Sequence, residues 1–244
     1  MNDRQKEILR FGREYLDACA RIEQRDNGEE LVIAPDDDRL WKKQPQPLSA
    51  IPMAGRMFLR RTVLEMTRAA AESAIDAFGP DYRLLLIDAY RPPHVQRICF
   101  SLVSNYFKFF GPRMDSEDDL AAFVNSFSAD PRYGGHPCGA AVDASLWDIR
   151  NNRRADFGGD SFKTIFVDSK GDAADGGPHT DEMRKKFADC FTRHGFKKTP
   201  CEWWHFSYGD CEWAQLGGHP ATLYSAVPWS LDMLFGDAVR PRLA

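Results

Sequence analysis

Nothing in the sequence pairs its cysteines. Cys19, Cys99, Cys138, Cys190, Cys201 and Cys211 are scattered with no CxxC spacing, which argues against a thiolate zinc site or a redox motif. A chain of 244 residues can bury a core without a disulfide framework, so free and mostly buried thiols are expected. Long apolar runs are also missing. The longest purely aliphatic stretch is LLLI at residues 84–87, far short of the roughly 20 residues a membrane span needs. The opening segment MNDRQKEILRFGREYLD carries charge throughout and lacks the apolar core of a secretory signal, so the reading expects a cytoplasmic protein with no membrane partner. Excess positive charge is missing too. Lys and Arg number 32 against 36 Asp and Glu, a net charge of −4, which gives no electrostatic reason to expect nucleic acid. Repeats, low-complexity tracts and obvious linkers are absent.

What is present suits an ordinary globular fold: 43% of residues are hydrophobic, enough for a sizeable core. Apolar periodicity predicts helices over residues 3–24, 57–78, 94–110 and 117–127, the last opened by Ser116, and another from the Thr180 cap to about 194. Residues 83–90 (RLLLIDAY) read as a strand covered on both faces and ended by Arg91-Pro92-Pro93. Further strands are expected at 31–34, in the second half of HPCGAAVDASLWD, at 163–167, and in the aromatic run after Pro200. Helices and strands alternate without regular βαβ spacing. The expected fold is α+β, a single domain over residues 1–244 with a central mixed or antiparallel sheet flanked by helices.

Two segments concentrate metal-binding side chains. One runs from Gly134 through His136 to Asp143; the other is Glu202-Trp203-Trp204-His205. Catalytic zinc takes three ligands from His and Asp or Glu and keeps one position open. On a flat strand neither pair, seven and three residues apart, would share a face. A turn at 137–139 would bring His136 round to Asp143, and Pro200 favours Glu202 in the turn entering the strand that carries His205. Each pattern alone is weak, since a single histidine in a half-buried strand is more often a satisfied core residue. Arg91 leaves the end of a buried strand. It can serve as a carboxylate or oxyanion anchor or equally form a structural ion pair with Asp88. Cys138 and Cys201 adjoin these segments but have no evident activating partner.

Taken in order, DAYRPP, GGHPCGAAVD and EWWHF resemble the motifs of the zinc D-alanyl-D-alanine dipeptidases, the VanX-type enzymes of a metallopeptidase group that also includes D,D-carboxypeptidases. His136, Gly139, Ala141 and Asp143 match the middle motif; Glu202, Trp204 and His205 match the last. The resemblance covers about residues 55–210. It implies one Zn2+ per chain on His136, Asp143 and His205, with Glu202 as general base and then acid, and Arg91 stabilising the tetrahedral intermediate. It also implies a small dipeptide substrate such as D-Ala-D-Ala, contacted by Asp160 and Trp203. The family's leading serine is Gly134 here, and the loop after Asp143 aligns poorly. The alternatives are a D,D-carboxypeptidase or endopeptidase on peptidoglycan stem peptides, or a non-catalytic zinc-binding module, against which Glu202 and Arg91 both speak.

Overall fold

The computed structural model describes residues 1–158, 177–200 and 202–240. The expected strand at 163–167 and Asp160 lie outside the described residues. Helix α1 (Asp3–Cys19) opens on a reciprocal cap: the Asn2 side chain accepts from the Gln5 backbone N–H, and the Gln5 side chain accepts from that of Asn2. It stops at Cys19, short of residue 24, because the chain turns away to bridge Glu23 with Ala221. Then come β1 (Leu31–Ile33), β2 (Trp41–Lys43), the single-turn α2 (Pro47–Ala50), β3 (Phe58–Arg60) and α3 (Arg61–Phe78). The helix expected from residue 57 thus begins at 61. Phe58–Arg60 instead pair antiparallel with β1, a long-range partner that local periodicity does not reveal.

The middle of the chain forms β4 (Tyr82–Asp88), α4 (Pro93–Phe110), α5 (Glu117–Asn125), α6 (Gly135–Cys138), β5 (Ala141–Asp148) and β6 (Arg153–Arg154). Ser116 caps α5 by accepting from the Asp119 N–H. After residue 176 follow α7 (Gly177–Thr192), β7 (Lys197–Lys198), β8 (His205–Ser207), α8 (Cys211–Gly217), α9 (Asp232–Phe235) and β9 (Ala238–Val239).

The strands make two sheets. A small antiparallel one has the order β3-β1-β9. The larger, mixed one has the order β2-β4-β5-β8-β7 with β6 beside β5; β2 runs parallel to β4 and its other pairings are antiparallel. This is the expected α+β class. The apolar middle of β4 is buried throughout, as its sequence requires, with Leu84, Leu85, Leu86 and Ile87 at 2% exposure or less. Behind β8, Phe206 stacks on Phe191 of α7 at 3.9 Å and meets Phe187 edge-on at 5.6 Å. Truncating one such ring costs about 3–5 kcal/mol, so the strand that carries His205 sits on a stiff foundation.

The cysteines correct the expectation. Cys19 at the end of α1 and Cys211 at the start of α8 form a disulfide with Cα atoms 5.8 Å apart, a pairing 192 residues long that no sequence spacing announces. Cys99, Cys138 and Cys190 are free, and Cys201 lies outside the described residues. No helix among the described residues is long and apolar enough to cross a membrane.

Candidate metal centre and active site

Sheet register builds half of the site. Asp143 of β5 lies directly opposite His205 of β8 on one side, and opposite Asp88 of β4 on the other. Directly paired residues project to the same face, so Asp143 Oδ1 lies 2.8 Å from His205 Nδ1. His136 arrives on α6, a single turn in place of the simple bend expected at 137–139. Gly139 ends that turn with φ +66°, where a Cβ would lie 2.1 Å from the Leu31 side chain. Glycine is required there both for the left-handed backbone and for the close approach. His136 Nδ1 donates to the Ala89 carbonyl at 2.7 Å, which leaves Nε2 as the lone-pair nitrogen, 3.3 Å from Asp143 Oδ1.

These three donor atoms, one from each residue, lie within 4.8 Å of one another, and all three residues are buried. Ligands of a tetrahedral zinc ion stand about 3.3 Å apart for bonds of about 2.0–2.1 Å, so the set fits. The tautomers fit as well. Ala89 holds the far nitrogen of His136, and the Ser207 hydroxyl lies 3.1 Å from His205 Nε2, the kind of outer partner that orients ligating histidines.

Glu202 sits in the turn before β8, as Pro200 implies, with Oε2 3.7 Å from His205 Nδ1. Around it the charge balance is negative. Burial, with Asp143 and Glu212 adding repulsion, pushes the Glu202 carboxyl up to about 8 despite His205 and Arg91. Burial likewise raises Glu212 to about 7. Burial alone would lower His205, but Asp143, Glu212 and Glu202 raise it to about 10. Burial would raise Asp143, yet the two histidines hold it well below the usual carboxylate range. A group of buried carboxylates gathered on two histidines is a donor set a divalent cation would neutralise.

Arg91 forms the ion pair with Asp88 that the sequence allowed. Its Nη2 and Nε donate to Asp88 Oδ2 at 2.6 and 3.1 Å, and Nη1 donates to Gln96 Oε1 at 2.8 Å. Thus anchored, it still lines the cavity that holds His136, Asp143, Glu202 and His205. Trp203 does not line that cavity among the described residues. Its ring stacks on Phe157 at 4.6 Å in the core, and Trp204 forms the wall instead. Cys138 is buried and its thiol is pushed up by burial, so no thiolate is poised there.

Sequence reasoning missed four contributors. Ser207 and Glu212 flank His205, Gln96 holds Arg91, and Asp210 is fully buried against Gly135, where a Cβ would lie 2.0 Å from its Oδ2. Ser207 lies two residues beyond His205 on the same strand face, a signal that was available. The others depend on the fold.

Comparison with known proteins agrees with the motifs. The family model described as D-ala-D-ala dipeptidase, Peptidase_M15, matches residues 50–217. A D-alanyl-D-alanine dipeptidase of Synechocystis sp. is 28% identical over 182 residues, covering 64% of this chain and 71% of that one. A solved structure of the LD-carboxypeptidase LdcB aligns with 81% of this chain and 80% of its own, at a TM-score of 0.39 and 17% identity. With three motifs in order and the family model spanning more than half of its length, the chain belongs to the D-ala-D-ala dipeptidase family, Peptidase_M15, a family of metal-dependent peptidases.

Proposed function

We propose that residues 1–244 form one zinc peptidase domain that hydrolyses D-Ala-D-Ala or a similar small dipeptide. The observation that carries this reading is the convergence of His136 Nε2, Asp143 Oδ1 and His205 Nδ1 at the wall of a cavity that also holds Glu202 and Arg91. His136, Asp143 and His205 would hold the zinc ion, which would supply Lewis-acid polarisation of the scissile carbonyl and lower the pKa of a bound water to about 7. A cation bound beside it would favour the ionised form of Glu202, which then takes a proton from the attacking water as the oxygen joins the acyl carbon. The C–N bond then breaks, and Glu202 returns the proton to the leaving amine. Arg91, braced by Asp88 and Gln96, offers fixed positive charge to the oxyanion that develops. The brace matters because a donor already in place loses no reorganisation energy during the reaction.

The Cys19–Cys211 bridge is chemistry that persists in oxidising compartments, which weighs against the cytoplasmic location expected from the charged opening segment. The test of function uses the zinc-loaded protein with D-Ala-D-Ala, L-Ala-L-Ala and a D-Ala-D-Ala-terminated stem peptide, with and without a chelator. Chelator-sensitive release of alanine from the free D-dipeptide is expected. Release from the stem peptide alone would replace the dipeptidase by a carboxypeptidase. No release from any of the three, with zinc still bound, would sink the reading.

A further inference from the structure

The cavity above the metal centre has two unlike ends. At one end stand His136, Asp143, Glu202, His205 and Arg91. The other end follows a single face of α4, on which residues three and four apart line up. Gln96 comes first and binds Arg91; Cys99, Leu102 and Val103 follow. From Gln96 to Val103 the face runs about 10 Å at 1.5 Å per residue. Leu48 and Phe127 continue the apolar wall. Val103 and Phe127 are buried in the core, whereas Leu48 and Leu102 are 41% and 53% exposed.

Two polar side chains on this side are tied to the backbone. Asn125 Oδ1 accepts from the Asp130 N–H at 2.7 Å, and the Ser126 hydroxyl donates to the Ile8 carbonyl at 3.1 Å. The wall therefore offers a ligand dispersion contact and exclusion of water, with few hydrogen bonds. Two alanyl methyl groups would leave most of it wet. Exposed leucines that line a reaction cavity mark a place where an apolar part of the substrate rests.

We infer that the wall formed by Cys99, Leu102, Val103, Leu48 and Phe127 is a side-chain subsite, and that the preferred substrates are small peptides with a large apolar residue beside the scissile bond. This rests on the peptidase reading above and narrows it, since dialanine becomes a permitted rather than a preferred substrate.

The experiment compares kcat/KM of the zinc-loaded protein for D-Ala-D-Ala, D-Ala-D-Leu and D-Leu-D-Ala. One leucyl peptide should exceed dialanine by about 10-fold or more, the discrimination that added methylenes give in an apolar pocket. Leu102→Asp should collapse that ratio. Ile98→Asp, which adds the same charge one turn earlier at a residue outside the cavity, should keep it. Equal or lower rates for both leucyl peptides, or a ratio untouched by Leu102→Asp, would overturn the inference. A second measurement needs no hydrolysis: titration of the zinc-loaded protein with acetate and with 4-methylpentanoate. Binding of the branched acid about 10-fold tighter, weakened by Leu102→Asp, supports the subsite even if no peptide is cut, in which case only the peptidase reading fails. Equal affinity for the two acids would remove the subsite.

Discussion

Two clusters of buried charge illustrate the difference between holding a fold together and doing chemistry. Arg60 and Asp26 are fully closed. Arg60 Nη2 donates to Asp26 Oδ2 at 2.6 Å, Nε to the Cys138 carbonyl at 2.8 Å, and the remaining N–H groups to Asp26, Glu29 and Ser225. Asp26 also accepts from the Gly28 and Ser225 N–H groups at 2.8 Å and from the Ser225 hydroxyl. Positive and negative charge balance, and both side chains are nearly inaccessible, at 0% and 6%. The cluster around Asp143 is open by contrast. Glu202, Glu212 and Asp143 face two histidines, Asp210 Oδ2 has no hydrogen-bond partner, and a cavity runs through the group. Burial is similar in the two; what differs is whether every donor and acceptor finds a partner inside the protein.

The comparison is most sharply broken or upheld at Glu202 and Arg60. Glu202→Gln should cut turnover by roughly 10²–10⁴-fold, the range for a lost general acid-base. Zinc content and melting temperature should stay near wild type, because a carboxylate crowded by others is removed. A variant that melts much earlier would move Glu202 into the structural class. Arg60→Ala should do the reverse and cost about 3–5 kcal/mol, since Asp26 remains buried without its partner. At about 2–4 °C per kcal/mol in a chain of this size, the melting temperature should fall by roughly 10 °C. Urea unfolding measures the loss, and a change below about 1 kcal/mol would show the cluster to be dispensable.

Asp26 adds a pH signature. Burial opposes its charge, but hydrogen bonds from Ser225, Arg60 and Gly28 prevail and lower its pKa from 3.8. A carboxylate lowered by folding contributes stability that is fully present above its unfolded pKa and is lost as pH falls through the folded one. Asp26→Asn should therefore be less stable than wild type at pH 7, with the gap narrowing below about pH 4. Unfolding curves at pH 7 and pH 3 check this, and a gap of constant size would mean that the aspartate acts through shape rather than charge.

A third, smaller effect concerns the link between α1 and α8. The disulfide joins the helix that carries Tyr15 to the one that carries Glu212, both of which line the cavity. Cys19→Ser should lower stability by about 2–4 kcal/mol, read as the difference between its melting temperature and that of the oxidised wild type. If dithiothreitol and Cys19→Ser both leave the melting temperature unchanged, the bridge contributes nothing to the fold.

The two clusters were not equally legible in the sequence. The open one announces itself because its residues fall in short motifs, and proline and glycine at 137, 139 and 200 show where strands must bend to gather them. Strand β4 was legible from its continuous apolar middle, and α4 and α5 from their periodicity. The closed cluster was invisible: Arg60 and Asp26 are 34 residues apart with no pattern between them, and Arg60 looked like part of a helix. Strand β2 was missed because Trp-Lys-Lys becomes a strand only by pairing with β4. Trp203 was expected against the substrate and Trp204 only as a motif match. Only the turn before β8 decides that the first packs on Phe157 and the second faces the cavity.

The gentlest test concerns Gly134, where the family motif has serine. The position has φ −65° and ψ 141°, open to any residue, and it lines the cavity. A Cβ there would meet the Ala129 Cβ and the Pro137 Cδ at 3.3 Å each, so those neighbours must yield by a few tenths of an ångström. Gly134→Ser should change stability by less than about 1 kcal/mol. If the new hydroxyl reaches a bound dipeptide, kcat/KM for D-Ala-D-Ala should rise about fivefold, which corresponds to one hydrogen bond of about 1 kcal/mol. A fall in rate at unchanged stability would mean instead that the missing side chain is room the substrate uses. Gly134 would then belong with the apolar wall as part of a cavity shaped for something larger than dialanine.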